Sequence, residues 1–154
     1  MNSKLKVAAV LSVVAATALT AIVWNTDTSR AAAAAAGGNM KDYMVDVVMP
    51  NTQPLWDNGY ADKISNENWA EMQQAVNRLQ GTIPSITSGG RVPAEQARAK
   101  SAVWQDWTKK MATAVAATKV AVDKKDQMGL QTGGDSLVEI CEGCHTAFDP
   151  TAAK

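Results

Sequence analysis

Apolar residues recur three and four positions apart through most of the chain beyond residue 38, a helical period and not the alternation of a strand. The first such stretch, Asn39 to Tyr60, puts Met44, Val47, Val48 and Leu55 on one stripe. Pro50 and Pro54 fall inside it; each lacks a backbone N–H, so a kink or a restart is expected there. A second helix is predicted from Ser65, a good N-cap, with Asn68 at the position where a capping box has Glu. Its stripe is Trp69, Met72, Val76 and Leu79, and Gly81 is its predicted end. Residues 81–92, rich in Thr, Ser, Pro and Gly, read as a loop. Pro93 suits the first turn of a long third helix reaching Lys124, with Trp104, Trp107, Met111, Val115, Thr118 and Val122 three or four apart. The fourth runs from Asp126 to before Pro150 with Leu137, Ile140, Cys141, Cys144 and Phe148 inward. Gly133 and Gly134 weaken it but admit a flat ring or a neighbouring helix. Four amphipathic helices with mostly short connections predict an all-α, antiparallel up-down four-helix bundle over residues 39–154. No internal repeat is visible.

Composition agrees. The chain is Ala-rich, with seven Met and five Trp against one Phe and two Tyr, and Ala costs least in a helix. Tryptophans at helical spacing are most simply core residues. The 154 residues carry 15 basic and 15 acidic side chains; setting aside residues 1–38 removes Lys4, Lys6, Arg30 and Asp27, leaving 12 basic and 14 acidic, a net of −2. With no basic patch, nucleic-acid binding is excluded.

Residues 1–38 read as an export segment. Lys4 and Lys6 precede an apolar run of 18 residues, Val7 to Trp24, followed by Asn25–Arg30, six alanines and two glycines. A cleaved signal peptide has an apolar run of about 7–15 residues, and a membrane span wants about 20 with about 17 as the lower limit. Both readings stand: a cleaved signal peptide, or a transmembrane anchor through residues 7–24 with an Ala/Gly linker behind it. In either, the lysines stay inside and the rest of the chain faces out, in the periplasm or on the extracytoplasmic face of the inner membrane.

Both cysteines and the only histidine stand together in Cys141-Glu142-Gly143-Cys144-His145. Cys-x-x-Cys-His is the pattern of c-type haem attachment. Residues three apart share a helix face, so both thiols reach the vinyl groups on one porphyrin edge, and the adjacent imidazole ligates iron. A disulfide across two residues would staple almost nothing and would leave the histidine unexplained. A thioredoxin-like pair expects a strand–helix setting, and a zinc site needs a fourth ligand that the chain lacks. The residues therefore imply one haem c, bound through Cys141 and Cys144 with His145 as proximal iron ligand.

Four helices with this motif near the C-terminus resemble the cytochrome c prime family, the class II c-type cytochromes. The run Tyr43-Met44-Val45-Asp46-Val47-Val48-Met49-Pro50 followed by Leu55-Trp56 is similar to the first helix of a bacterial branch of that family. The resemblance spans nearly all of residues 39–150. It implies a haem held inside the bundle, with the sixth iron position either empty behind an apolar residue or, in low-spin relatives, filled by a first-helix Met. It also implies dimerisation through the first two helices, although Trp56 and Trp69 read more simply as buried within the monomer.

With a single histidine, bis-His ligation within one chain is excluded. What remains is His/Met, His with a weaker ligand, or five-coordinate iron. The first points to an electron carrier serving redox partner proteins, since Met ligation raises the potential. The last points to a protein binding nitric oxide or carbon monoxide. Enzymatic peroxide chemistry has no distal His or Arg to assist it, so no catalytic residue is assigned. In an up-down bundle the start of the first helix lies beside the end of the fourth, which makes Met44 the candidate sixth ligand. Met40 is expected at a frayed start, Met49 on another face, and Met72, Met111 and Met128 mid-helix or at the opposite end.

Overall fold

Asn39 opens the helical part of the molecule: its side-chain oxygen accepts the Asp42 N–H at 2.9 Å. The computed structural model of the protein describes residues 38–148, and no strand occurs among them. The leader predicted over residues 1–38 thus lies, Gly38 apart, outside the described residues.

α1 (Met40–Tyr43) runs without a break into a π-helical turn (Met44–Val48) and then α2 (Met49–Gly59). Neither proline restarts the chain. Pro50 cannot donate to the Asp46 carbonyl and its ring would press on that oxygen, so the turn before it widens and the Met49 N–H reaches back five residues to the Met44 carbonyl. Side chains cover carbonyls along the proline segment: Asn51 donates to Val47 at 2.6 Å, Thr52 to Met49 at 2.9 Å and Asn58 to Pro54 at 2.8 Å. The wide turn also keeps one face inward. Tyr43, Val47, Asn51, Leu55 and Gly59, four apart, are all buried, whereas a pure α-helix overshoots by about 40° every four residues.

α3 (Asn66–Ser88) begins at Ser65, whose hydroxyl accepts the Asn68 N–H at 3.1 Å. Its predicted end at Gly81 is incorrect. The helix passes Gly81 and Pro84 and stops at Gly89, which adopts the left-handed φ of 76°. Nothing lies within 4 Å of a Cβ built on Gly81, so the residue merely faces open space, while Thr82 and Ile86 continue the buried stripe and hold the helix on the core. At Gly89 a Cβ would stand 2.6 Å from that of Ala99, which with the positive φ makes it the true stop.

The third predicted helix is two. α4 (Pro93–Ala99) ends at Lys100, and α5 (Ala102–Lys124) starts afresh with Ser101 capping the Trp104 N–H at 3.3 Å. Gln105 closes the corner by donating to the Ala99 carbonyl at 2.7 Å. α6 (Gln127–Phe148) follows Lys125, left-handed at φ 54°, and Asp126, whose carboxylate accepts the Gly129 N–H at 3.0 Å.

α2 packs on α3, α3 on α5, α5 on α6 and α6 back on α2, closing a helical bundle. Leu55, Met72, Val76, Leu79, Val115, Thr118 and Leu130 are its most completely buried side chains. The predicted stripes lie inside, with Met44, Ile140 and Phe148 partly buried against the core. Trp69 is buried, but Trp56 is 41 % exposed, contrary to its reading as core. A Cβ on Gly133 would stand 3.1 Å from that of Thr118, so this glycine serves the close approach of α5. Among the described residues no helix is long and apolar enough to cross a membrane.

Candidate functional site

The last two turns of α6 carry the motif. Cys141 and Cys144 are free thiols, each half-buried, and His145 is exposed beside them. Burial pushes the Cys141 thiol up from its ordinary value, and the charge of Glu142 adds to that. Burial likewise raises Cys144, with Cys141 contributing. Among the described residues no three His, Cys, Asp or Glu side chains gather into a metal-ion site.

An almost wholly apolar cleft of about 280 Å³ opens between the first helical segment and α6. Met44, Val48, Leu55 and Trp56 form one wall; Leu137, Val138, Cys141 and His145 form the other. Gly134 lines it too, so of the adjacent glycines one serves the neighbouring helix and the other the cleft. On the inner side of the motif a void of about 30 Å³ lies among Cys141, Cys144, Ile140, Trp107, Met111 and Ile86. Met44, Val48, Cys141 and His145 border both spaces. Cys141 and His145 on one wall of the apolar cleft, with Cys144 on the small void behind it, suit a flat apolar group anchored through sulfur and ligated at its centre.

The methionines are arranged otherwise than predicted in three respects. Met40 is not frayed: it is buried, and its N–H donates to Glu95 at 2.9 Å. Met49 does share the face of Met44, because the π turn aligns residues five apart; it stands on the rim of the same cleft, 54 % exposed. Met111, mid-helix as expected, nevertheless borders the small void beside the motif. Met44 itself is half-buried within the π turn. Val138, Glu142 and Trp107 escaped sequence reasoning as site residues; only the third dimension brings Trp107, 36 positions upstream, against Gly143.

Comparison with known proteins gives no match: no family model fits the chain, and neither a curated protein nor a solved structure is significantly similar to it.

Proposed function

We propose that the protein is a c-type cytochrome carrying electrons outside the cytoplasm, an up-down antiparallel member of the cytochrome c prime family. Cys141 and Cys144 hold one haem through thioethers and His145 ligates its iron. The observation that carries this reading is Cys-x-x-Cys-His at the end of α6 with half-buried thiols, Cys141 and His145 lining an apolar cleft and Cys144 bordering the small void behind it.

The haem supplies the one-electron couple. The chain's own residues do the rest. The thiols fix the group's edge to α6, the valine and leucine walls exclude water, and low polarity around iron raises the potential. Met44, which borders both spaces around His145, would offer its thioether to the iron. A neutral, soft donor of that kind would keep the iron low-spin and favour the reduced state.

The deciding experiment is acid–organic extraction of the denatured protein followed by a haem stain. Colour that stays with the chain, and leaves it when Cys141 and Cys144 are both replaced by Ser, is the expected result. Haem released from the wild type sinks the proposal. A wild type that keeps its haem but is high-spin and takes up carbon monoxide freely replaces electron carriage with gas binding.

A further inference from the structure

Gly143, the second of the two residues between the cysteines, has almost no space above its backbone. A Cβ built on it would stand 2.8 Å from both Cζ2 and Cζ3 of Trp107, and closer still to Cη2. To make room for such an atom either the turn must move or the ring must swing about its own side-chain torsions. The Lys110 ammonium lies over its face, 4.4 Å from the centroid, and is itself paired with Asp106 at 2.8 Å. The indole also borders the small void among Cys141, Cys144 and His145. The six-membered edge of the indole therefore abuts bare backbone in the middle of the motif, where an added Cβ would require the ring or the turn to shift.

We infer that Trp107 is the positioning residue of the thiol-bearing turn: its ring seats against Gly143 and sets how α6 presents Cys141, Cys144 and His145. The inference rests on the haem reading given above. Groups packed behind a ligand-bearing turn restrict the directions in which it can present its side chains. An ordinary core contact would alter stability alone. A positioning contact would also set how α6 presents the imidazole, and its loss would then shift the visible spectrum and the midpoint potential of the loaded protein.

The test compares the full chain, exported and loaded with haem, as wild type, Gly143→Ala, Trp107→Leu and the double variant. Gly143→Ala is expected to lower the fraction of chains carrying thioether-bound haem, and to shift the spectrum and potential of those that carry it. Trp107→Leu removes the ring atoms that the new methyl would meet, so the double variant should load better than Gly143→Ala alone. The same non-additivity should appear in thermal denaturation of the haem-free chain made with Cys141→Ser and Cys144→Ser, a readout independent of the cofactor. A Gly143→Ala chain that loads and absorbs like the wild type overturns the inference, as does a double variant no better than Gly143→Ala. If Gly143→Ala does not accumulate, Trp107→Leu decides alone: a shifted spectrum supports the inference and an unshifted one overturns it. A wild type without bound haem overturns the haem reading and this inference together. A stained wild type with an indifferent Gly143→Ala overturns this inference only.

Discussion

At the scale of single residues, the methionine beside the motif is where sequence and structure part company most usefully. Elimination along the sequence singles out Met44, and the structure places it on the border of both spaces around His145. The grounds for elimination, however, change. Met49 and Met111 border one space each, so three thioethers and not one surround the motif. Exposure separates them: Met49 stands 54 % in solvent on the rim, Met111 is 6 % exposed within the packed face of α5, and Met44 is half-buried between the two. A side chain with three rotatable bonds at such a junction can turn toward iron without leaving a hole in the core. Met44→Ala should therefore turn a low-spin spectrum high-spin and open the iron to carbon monoxide, while Met49→Ala and Met111→Ala leave the wild-type spectrum. Conversion by Met111→Ala with Met44→Ala indifferent would transfer the role to α5. The motif itself is legible because its chemistry is contiguous in sequence. The contact between Gly143 and Trp107 is not, because it joins two helices and depends on the depth at which α5 packs on α6.

Helix existence was readable from periodicity; helix ends were read less well, and for one reason. Gly81 carries a local stop signal, but the next buried positions, Thr82 and Ile86, continue the stripe, and burial outweighs the helix cost of a glycine of about 1 kcal/mol. Ser101 carries a local start signal, hidden inside an apparently continuous pattern from Pro93. The first helix shows the same competition resolved differently: Pro50 would break it, yet one wide turn accommodates the ring and keeps four-residue spacing facing the core. Two opposite outcomes follow. Gly81→Ala should stabilise the protein by about 0.5–1 kcal/mol, since the position is helical and open. Ser101→Ala should destabilise it by about 1 kcal/mol through loss of the cap on the Trp104 N–H. Urea midpoints at unchanged slope measure both, and a destabilising Gly81→Ala would contradict the continuous α3.

At the scale of the whole molecule, the proposed export of the chain and the packing of the bundle lead to separable predictions. In the proposed reading the lysines before the apolar run of residues 7–24 stay inside, so a reporter fused after Lys154 should be active only outside the cytoplasm. Carbonate extraction then tells an anchored full-length chain in the pellet from a shortened soluble one. The bundle's two ends differ in how they are filled. Met72, Val76, Leu79, Val115 and Leu130 have no measurable exposure, so protein side chains alone complete the core there. At the motif, Val45, Met49 and Trp56 are 47 %, 54 % and 41 % exposed around an apolar cleft. Apolar surface left in water at one end and close packing at the other set unequal local stabilities within one fold. A group bound in the cleft stabilises the folded chain, and chiefly the segments that touch it. Hydrogen exchange should therefore distinguish loaded protein from the haem-free Cys141→Ser, Cys144→Ser chain by region. Protection should fall in the π turn from Met44 to Val48 and in Val138–Phe148. It should persist in Met72–Leu79 and Val115–Val122, where the core needs no cofactor. Uniform loss across all helices would mean that the haem organises the whole bundle, and no difference anywhere would mean that the cleft holds nothing of consequence for folding.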